Sequence, residues 1–299
     1  MELADLGGFA VDLGGTKIAA ARIDSGRVVE RLLAATDGMA GPEAQMDAMA
    51  GLLTRLGHTA GAPLGVGVAG RIDGAGRWCA VNRDTLSAID GFALQDALRD
   101  RLGAATCCND AAAAALAEAR FGAGRDARNF AYLTVSTGIG GGIVLGGRLI
   151  ESENGLAGHA GFVTSRHAEG PCGSGRRDTV ESVAGGRGIA AAAAARGHPG
   201  QDARAVIEAA KSGAAWAEDI VATSARAVAS LIGDLAAILG LDGVAVGGSI
   251  GLAQGYLDRV RASLADEPPL FRPALQAAAL GHDGPLLGAL ALHFAKVSR

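Results

Sequence analysis

Aromatic side chains are scarce in this 299-residue chain: Phe, Trp and Tyr together make up 4% of it. With so few rings, the core has to be assembled from Ala, Val, Leu and Ile. Cysteine is scarce too. The four present, Cys79, Cys107, Cys108 and Cys172, form no CxxC pair, so neither a disulfide framework nor a CxxC redox motif is expected and a reduced, cytoplasmic protein is. There is no basic excess, since 27 Lys and Arg stand against 31 Asp and Glu for a formal net charge of −4. A nucleic-acid partner needs a basic stripe, so none is expected. The opening MELADLGGFAVDLGG lacks the basic and apolar regions of a signal peptide. The apolar run at 189–195 is far short of the roughly 20 residues that cross a bilayer, so a soluble protein with no membrane partner is expected. Two nucleotide signatures are also missing. GxxxxGK[ST] is absent, and no GxGxxG opens a helix after the first strand, which counts against a P-loop protein and a dinucleotide oxidoreductase.

What the chain has in quantity is glycine, 47 residues of it, and glycine clusters mark tight turns or close backbone approach. GGFAVDLGGTKIAAARIDSGRVV reads as three strands joined by turns at Gly14-Gly15 and Ser25-Gly26. Helical spacing follows at 42–57, a short buried strand at 63–70, a helix at 93–103, a strand at 104–108 and an alanine-rich helix at 110–122. Then the opening pattern returns: FAYLTVSTGIGGGIVLGGRLI at 130–150 is again strand, glycine turn, strand, turn, strand. The repeat is one of supersecondary order rather than identity, and it predicts two related lobes facing a cleft. The second half is mostly helical, at 186–196, 202–212 and 214–239. VAVGG at 244–248 is a strand running into Gly247-Gly248-Ser249, the helix LAQGYLDRVRASLA comes next, and an apolar-faced helix at 285–297 ends the chain.

Three glycine turns sit at strand ends. DLGGT at 12–16 reads as a hairpin turn or as a phosphate turn. STGIGGG at 136–142 directs many backbone N–H groups toward one point, a concavity that suits phosphate oxygens. Gly247-Gly248-Ser249, read as opening a helix, suits a nucleotide at a helix N-terminus. Together they favour a nucleotide cleft. Asn109-Asp110 lies between a strand and the alanine-rich helix. Either residue serves as an N-cap, yet two candidate caps stand where one suffices. Ala111 to Ala115 leave that helix bare, so a backbone or a ligand can come close. A helix N-terminus is expected to lower the Asp110 pKa.

Taken together, VDLGGTK, NDAAAAALAE, FGAG, VSTGIGGGIVLGGRLI, GLAGHAG and VGGS resemble, in order and spacing, the ROK family of sugar kinases. Within it, AGGRGIAAAAA, GGSIGLAQGYL and HDGPLLGA are most similar to the bacterial N-acetylmannosamine kinase branch. The resemblance implies an α/β, actin-like, ribonuclease-H-like duplicated ATPase fold with a ligand cleft between two lobes. It implies a small lobe of residues 1–115 joined by the C-terminal helix 285–299, and a large lobe of 116–284. It implies ATP, Mg2+ and an amino sugar, with phosphoryl transfer to the 6-hydroxyl of N-acetylmannosamine in sialic acid and amino-sugar catabolism, or to glucose, N-acetylglucosamine or fructose. Asp110 would take the hydroxyl proton, and Gly70, Arg71, Asn109, His159 and Glu181 would touch the sugar. Asp12 would sit near the metal-bound phosphates, with Gly14, Gly15, Thr16 and Lys17 in the first phosphate turn. Thr137, Gly138, Gly140, Gly141 and Gly142 would form the second, and Gly247, Gly248 and Ser249 would border the adenosine. A homodimer is also implied.

One stretch departs from the pattern. Most of the family carries three cysteines and a histidine that bind a structural zinc, and of those positions this chain keeps only Cys172. The others are Ser174, Thr179 and Phe162, so no structural zinc is expected, because a closed zinc shell needs four N or S ligands. His167 is the imidazole nearest to Cys172 in that loop, and the loop is expected to be held by packing, with Phe162 part of it, and by hydrogen bonds. A regulator of the same family would carry a helix-turn-helix before VDLGG, and the few residues there are too short for one. An inactive sugar-binding relative is the remaining alternative, against which stand the retained Asn109-Asp110 and phosphate turns.

Overall fold

The computed structural model describes residues 2–82 and 85–297. The chain divides into two compact units. One comprises Met1–Gly122, Arg148–Ala157 and His282–Arg299, and the other Ala123–Gly147 and Gly158–Gly281. Against the expected division at 115, the first unit runs on to Gly122, because the whole alanine-rich helix belongs to it.

In the first unit, β1 (Gly8–Leu13), β2 (Lys17–Asp24) and β3 (Arg27–Ala35) form the expected antiparallel meander. β4 (Leu64–Val68) and β5 (Ala105–Asn109) add to it in parallel, for the order β3-β2-β1-β4-β5. β4 is buried along its whole length, as its unbroken apolar and glycine sequence requires of a strand covered on both faces. Helices α1 (Pro42–Arg55) and α2 (Leu94–Leu102) bring Met46, Met49, Leu53, Leu94 and Leu98 into a core with Leu13, Val66 and Trp78. Helix α3 (Asp110–Phe121) follows β5 without a break.

In the second unit, β6 (Asn129–Val135), β7 (Ile139–Leu145), β8 (Gly243–Gly247) and β9 (Ala274–Ala277) run in the order β7-β6-β8-β9. The antiparallel hairpin followed by two parallel strands reproduces β2-β1-β4-β5, so the repeat seen in sequence is a repeat of topology. Helices α4 (Val180–Ala184), α5 (Gly186–Ala195), α6 (Ala203–Lys211) and α7 (Ala215–Leu239) cover this sheet. α7 is long and apolar enough to cross a membrane by length and composition, which the shorter runs inspected in sequence did not reveal. Two thirds of its most apolar window (67%) is buried, as a core helix requires. Aliphatic residues dominate both cores. Tyr256, the large ring buried in the second, has its hydroxyl 2.7 Å from Ser224 Oγ.

The bare face of α3 is filled by backbone. The C-terminal helix Gly284–Val297 packs on it so tightly that a Cβ on Gly288 would overlap the carbonyl of Ala113. Large side chains at 111–115 would hold the two helices apart, so the alanine run is a packing requirement. Gly288→Ala is accordingly expected to cost about 1–3 kcal/mol through overpacking. A thermal midpoint within a degree of wild type would contradict this contact.

Candidate active site

Asp110 and Asn109 are fixed by the β5–α3 junction. Asn109 has the extended backbone of an N-cap, and its Oδ1 accepts from Ala112 N at 2.9 Å. Its Nδ2 donates to the Gly70 carbonyl at 2.8 Å and to Asp110 Oδ1 at 2.9 Å. Asp110 Oδ1 accepts in addition from Ala111 N at 2.8 Å. The two adjacent polar residues therefore divide the work: one caps the helix, and the other is an oriented carboxylate. Asn109, expected to hold sugar hydroxyls, spends both amide hydrogens inside the protein. Gly70 is tied to the same junction through its carbonyl, and Trp78 Nε1 anchors the preceding Ala69 carbonyl at 2.8 Å. Arg71 donates to the Asn154 carbonyl at 2.9 Å.

Asp12 is the next-to-last residue of β1, and its strand partner Gly67 on β4 is in turn paired with Cys108 on β5, so Asp12 and Asp110 share one end of the sheet. A Cβ on Gly67 would stand 3.5 Å from Asp110 Cα, and the glycine leaves that space open. Burial pushes the Asp110 carboxyl up to about 7, aided by the charge of Asp12 and opposed by the hydrogen bonds to its carboxylate. This corrects the expectation that the helix start would lower it. Desolvation and a like charge outweigh the partial charge of one helix end. Burial likewise raises Asp12 to about 6 against the lowering pull of Lys17 and Arg31.

The first glycine turn is a hairpin turn, closed by Gly14 N donating to the Lys17 carbonyl at 2.9 Å. Thr36 Oγ1 donates to the Gly14 carbonyl at 2.8 Å, and Thr36 N to the Thr16 carbonyl at 3.1 Å, so the residue that follows the third strand braces it. Gly15 lies against Thr85, and Lys17 is exposed.

In the second unit, Thr137, Gly138 and the following Gly140, Gly141 and Gly142 form the β6–β7 turn and the start of β7. The third turn joins it, since Ser249 Oγ lies 3.2 Å from Ser136 Oγ. Ser136 belongs to the STGIGGG stretch read from sequence as a phosphate concavity, and its side chain is what links the two turns. Gly247 ends β8 against the Tyr132 hydroxyl, and Gly248 opens only one helical turn, Gly248–Gly251. The long helix expected directly after this turn starts instead at Tyr256, so the partial charge of a long helix is not aimed there.

Glu181 is in the first turn of α4, and its Oε2 accepts from Ile139 N at 3.1 Å. Burial raises its pKa. His159 stacks on Phe162 with ring centroids 6.0 Å apart and planes 16° from parallel, so Phe162 holds its place by packing.

The Cys172 loop does not fit a structural zinc. Cys172 Sγ meets Ser174 Oγ at 3.0 Å, while His167 Nε2 accepts from Arg166 Nε at 3.4 Å rather than pairing with Cys172. Fully buried Thr179 accepts from Ser182 N at 3.2 Å as the α4 N-cap. Among the described residues, no three His, Cys, Asp or Glu side chains gather as a metal shell. Backbone bonds close the loop instead: Cys172 N to the Arg176 carbonyl and Ser165 N to the Asp178 carbonyl, both at 2.8 Å, with Gly170 N on Asp178 Oδ1 at 2.8 Å.

The carboxylate pair predicts a stability signature. Because the folded pKa of Asp110 is raised, the folded state holds that proton more tightly than the unfolded chain. Its contribution is present at low pH and is lost as pH climbs from the ordinary carboxylate range to about 7. Asp110→Asn is therefore expected to gain stability relative to wild type between pH 5 and pH 8, on the order of 2 kcal/mol. Parallel denaturation curves at the two pH values, with no change in the difference, would rule out the buried ionised pair.

Residues 8–296 match the ROK family profile. The N-acetylmannosamine kinase of Citrobacter koseri is 44% identical over 287 residues, covering 95% of this chain and 97% of that protein. The crystal structure of the ROK hexokinase from Thermus thermophilus superposes with a TM-score of 0.83 at 31% identity, over 97% of this chain and 99% of that one. A ROK family glucokinase from Streptomyces griseus, solved with glucose and AMPPNP, gives 0.77 at 30% identity, over 95% and 98% of the two chains. With the duplicated sheet, the Asn109-Asp110 junction and the glycine turns in the positions described, this chain belongs to the ROK family.

Proposed function

We propose that this chain is an ATP-dependent sugar kinase that transfers the γ-phosphoryl group to the 6-hydroxyl of N-acetylmannosamine. The observation that carries the chemistry is the Asp110 carboxyl, oriented through Oδ1 and raised to about 7, where a general base works best at neutral pH. Oδ1 already accepts two hydrogen bonds, so the proton of the 6-hydroxyl goes to Oδ2. The 6-oxygen bonds to the γ-phosphorus, the bond to the bridging β,γ-oxygen breaks, and ADP leaves. Such transfer passes through a loose transition state, in which positioning and charge neutralisation matter more than base strength. The N-acetylmannosamine assignment draws its support from the full-length similarity to the Citrobacter enzyme.

The backbone turns at 12–17 and 136–142 would receive phosphate oxygens, and Gly247 to Ser249 the adenosine. A magnesium ion fits the donor set. Asp12 offers a half-buried carboxylate whose desolvation raises its pKa, and Mg2+ is usually held by one or two carboxylates together with substrate phosphates. When bound, the ion neutralises phosphate charge. A homodimer in the cytoplasm is part of the same proposal, and the four free cysteines suit a reducing compartment.

A coupled ADP-release assay across N-acetylmannosamine, N-acetylglucosamine, glucose and fructose tests the substrate. The expected result is a kcat/KM for N-acetylmannosamine at least tenfold above the others, since a few pocket hydrogen bonds separate epimers. A preference for glucose would refute the assignment while leaving a kinase. Asp110→Asn is expected to lower kcat by about 10²–10⁴. Unchanged turnover in that variant would remove the proposed base.

A further inference from the structure

Glu181, which the sequence resemblance gives to the sugar, is engaged in this structure with the backbone of a glycine turn. Its Oε2 accepts from the backbone N–H of Ile139, the residue that leaves the 136–138 turn and starts β7. The packing behind that bond is tight: a Cβ on Gly138 would collide with the same oxygen. Two further bonds strap the same corner. Gly186 N donates to the Ser136 carbonyl at 2.8 Å, and Arg187 N to the Thr137 carbonyl at 3.2 Å. Within the turn, Ser136 N donates to the Gly138 carbonyl at 3.0 Å. The α4–α5 corner thus takes the turn's outward carbonyls, and Glu181 takes one of its N–H groups. What fixes Glu181 is the capping of α4: Thr179 Oγ1 accepts from Ser182 N, and Ser182 Oγ from Thr179 N at 3.1 Å.

A glycine-rich turn is soft, and a soft turn loses entropy when phosphate oxygens order it. A carboxylate that already holds one of its N–H groups in place removes part of that cost. We infer that Glu181 is a positioning residue for the nucleotide: by holding Ile139 N–H it keeps the 136–142 turn in its phosphate-binding shape. A sugar hydroxyl on its other oxygen would then act on the nucleotide site through the same side chain. The inference rests on the proposed reading of that turn as a phosphate site.

The test compares Glu181→Ala with Glu181→Gln. Glutamine keeps a carbonyl oxygen that accepts from Ile139 N–H, whereas alanine cannot reach it. AMPPNP with magnesium is titrated by calorimetry without sugar, so the readout does not depend on turnover. Gly138→Ala, whose Cβ would push the Glu181 carboxylate away from the same turn, is the companion variant. Nucleotide affinity is expected to fall about tenfold or more in Glu181→Ala and in Gly138→Ala, and by less than about threefold in Glu181→Gln. The KM for the sugar is expected to rise in both Glu181 variants. Thermal midpoints report folding, and Glu181→Ser, also too short to reach Ile139, repeats the measurement should the alanine variant fail to fold. Normal nucleotide binding in Glu181→Ala beside weakened binding in Gly138→Ala would overturn the inference and leave the turn as the phosphate site. Equal losses in the alanine and glutamine variants would also overturn it, because the acceptor would then not be what matters. Normal binding in every variant would overturn both the inference and the reading of the turn.

Discussion

The first unit is organised around an electrostatic cost: two carboxylates, Asp12 and Asp110, desolvated at one end of a sheet and close enough to feel each other. Neither burial nor like charge is favourable for a stable fold, and groups of this kind gather at functional sites. The strand between them carries glycine at position 67, where any larger side chain would stand over Asp110. The surrounding architecture moderates the cost without abolishing it. Asn109 Nδ2 and Ala111 N hold one Asp110 oxygen, and Lys17 and Arg31 pull the Asp12 pKa down. A cation or a phosphoryl acceptor arriving here meets groups whose charge is not yet balanced.

The support for Asp110 extends outward by packing. Its helix is held by the C-terminal helix at backbone contact, which alanines on one side and Gly288 on the other permit. Gly70 is held through its carbonyl by Asn109, and the strand before it through Trp78. Buried Cys107 and Cys108 precede the pair on β5, with thiols that burial drives well above their usual range, so they act as small apolar side chains there. The carboxylate therefore sits on rigid elements rather than on a loop, as orientation to within a fraction of an ångström demands.

Much of this was legible in the sequence because it is local. The meander around Gly14-Gly15, its return at 130–150 and the helix starting at Asp110 are set by turn residues, caps and periodicity within short windows. The alanine run announced a close approach, though not what would approach. The misses share one cause, dependence on partners distant in the chain. The pKa of Asp110 is set by burial and by Asp12, and neither shows in the NDAAAAA motif, where the helix end is the visible influence. The hydrogen bond from Asn109 to the Gly70 carbonyl is likewise invisible within that motif. The hairpin of Arg71–Ile72 with Trp78–Cys79, the helix Val180–Ala184 and the exposed edge strand Ala274–Ala277 are too short for periodicity to register.

The Cys172 loop is closed by ties spread along its length. A zinc ion would tie the loop at a single point; here the ties are distributed. Thr164 and Thr179 form a β-bridge, Pro171 and Arg177 another, and Asp178 takes a left-handed backbone (φ 56°) that lets its side chain reach back to Gly170 N. Thr179 carries the most consequence. Its backbone joins the bridge to Thr164 while its hydroxyl caps α4. The cap decides where the first turn of α4 begins, and Glu181 is in that turn, on Ile139 N–H. A threonine hydroxyl is thus linked to the 136–142 turn through two residues of chain and the Glu181–Ile139 hydrogen bond. A substitution at 179 that keeps the bridge but loses the cap would displace Glu181 before it disturbed the loop.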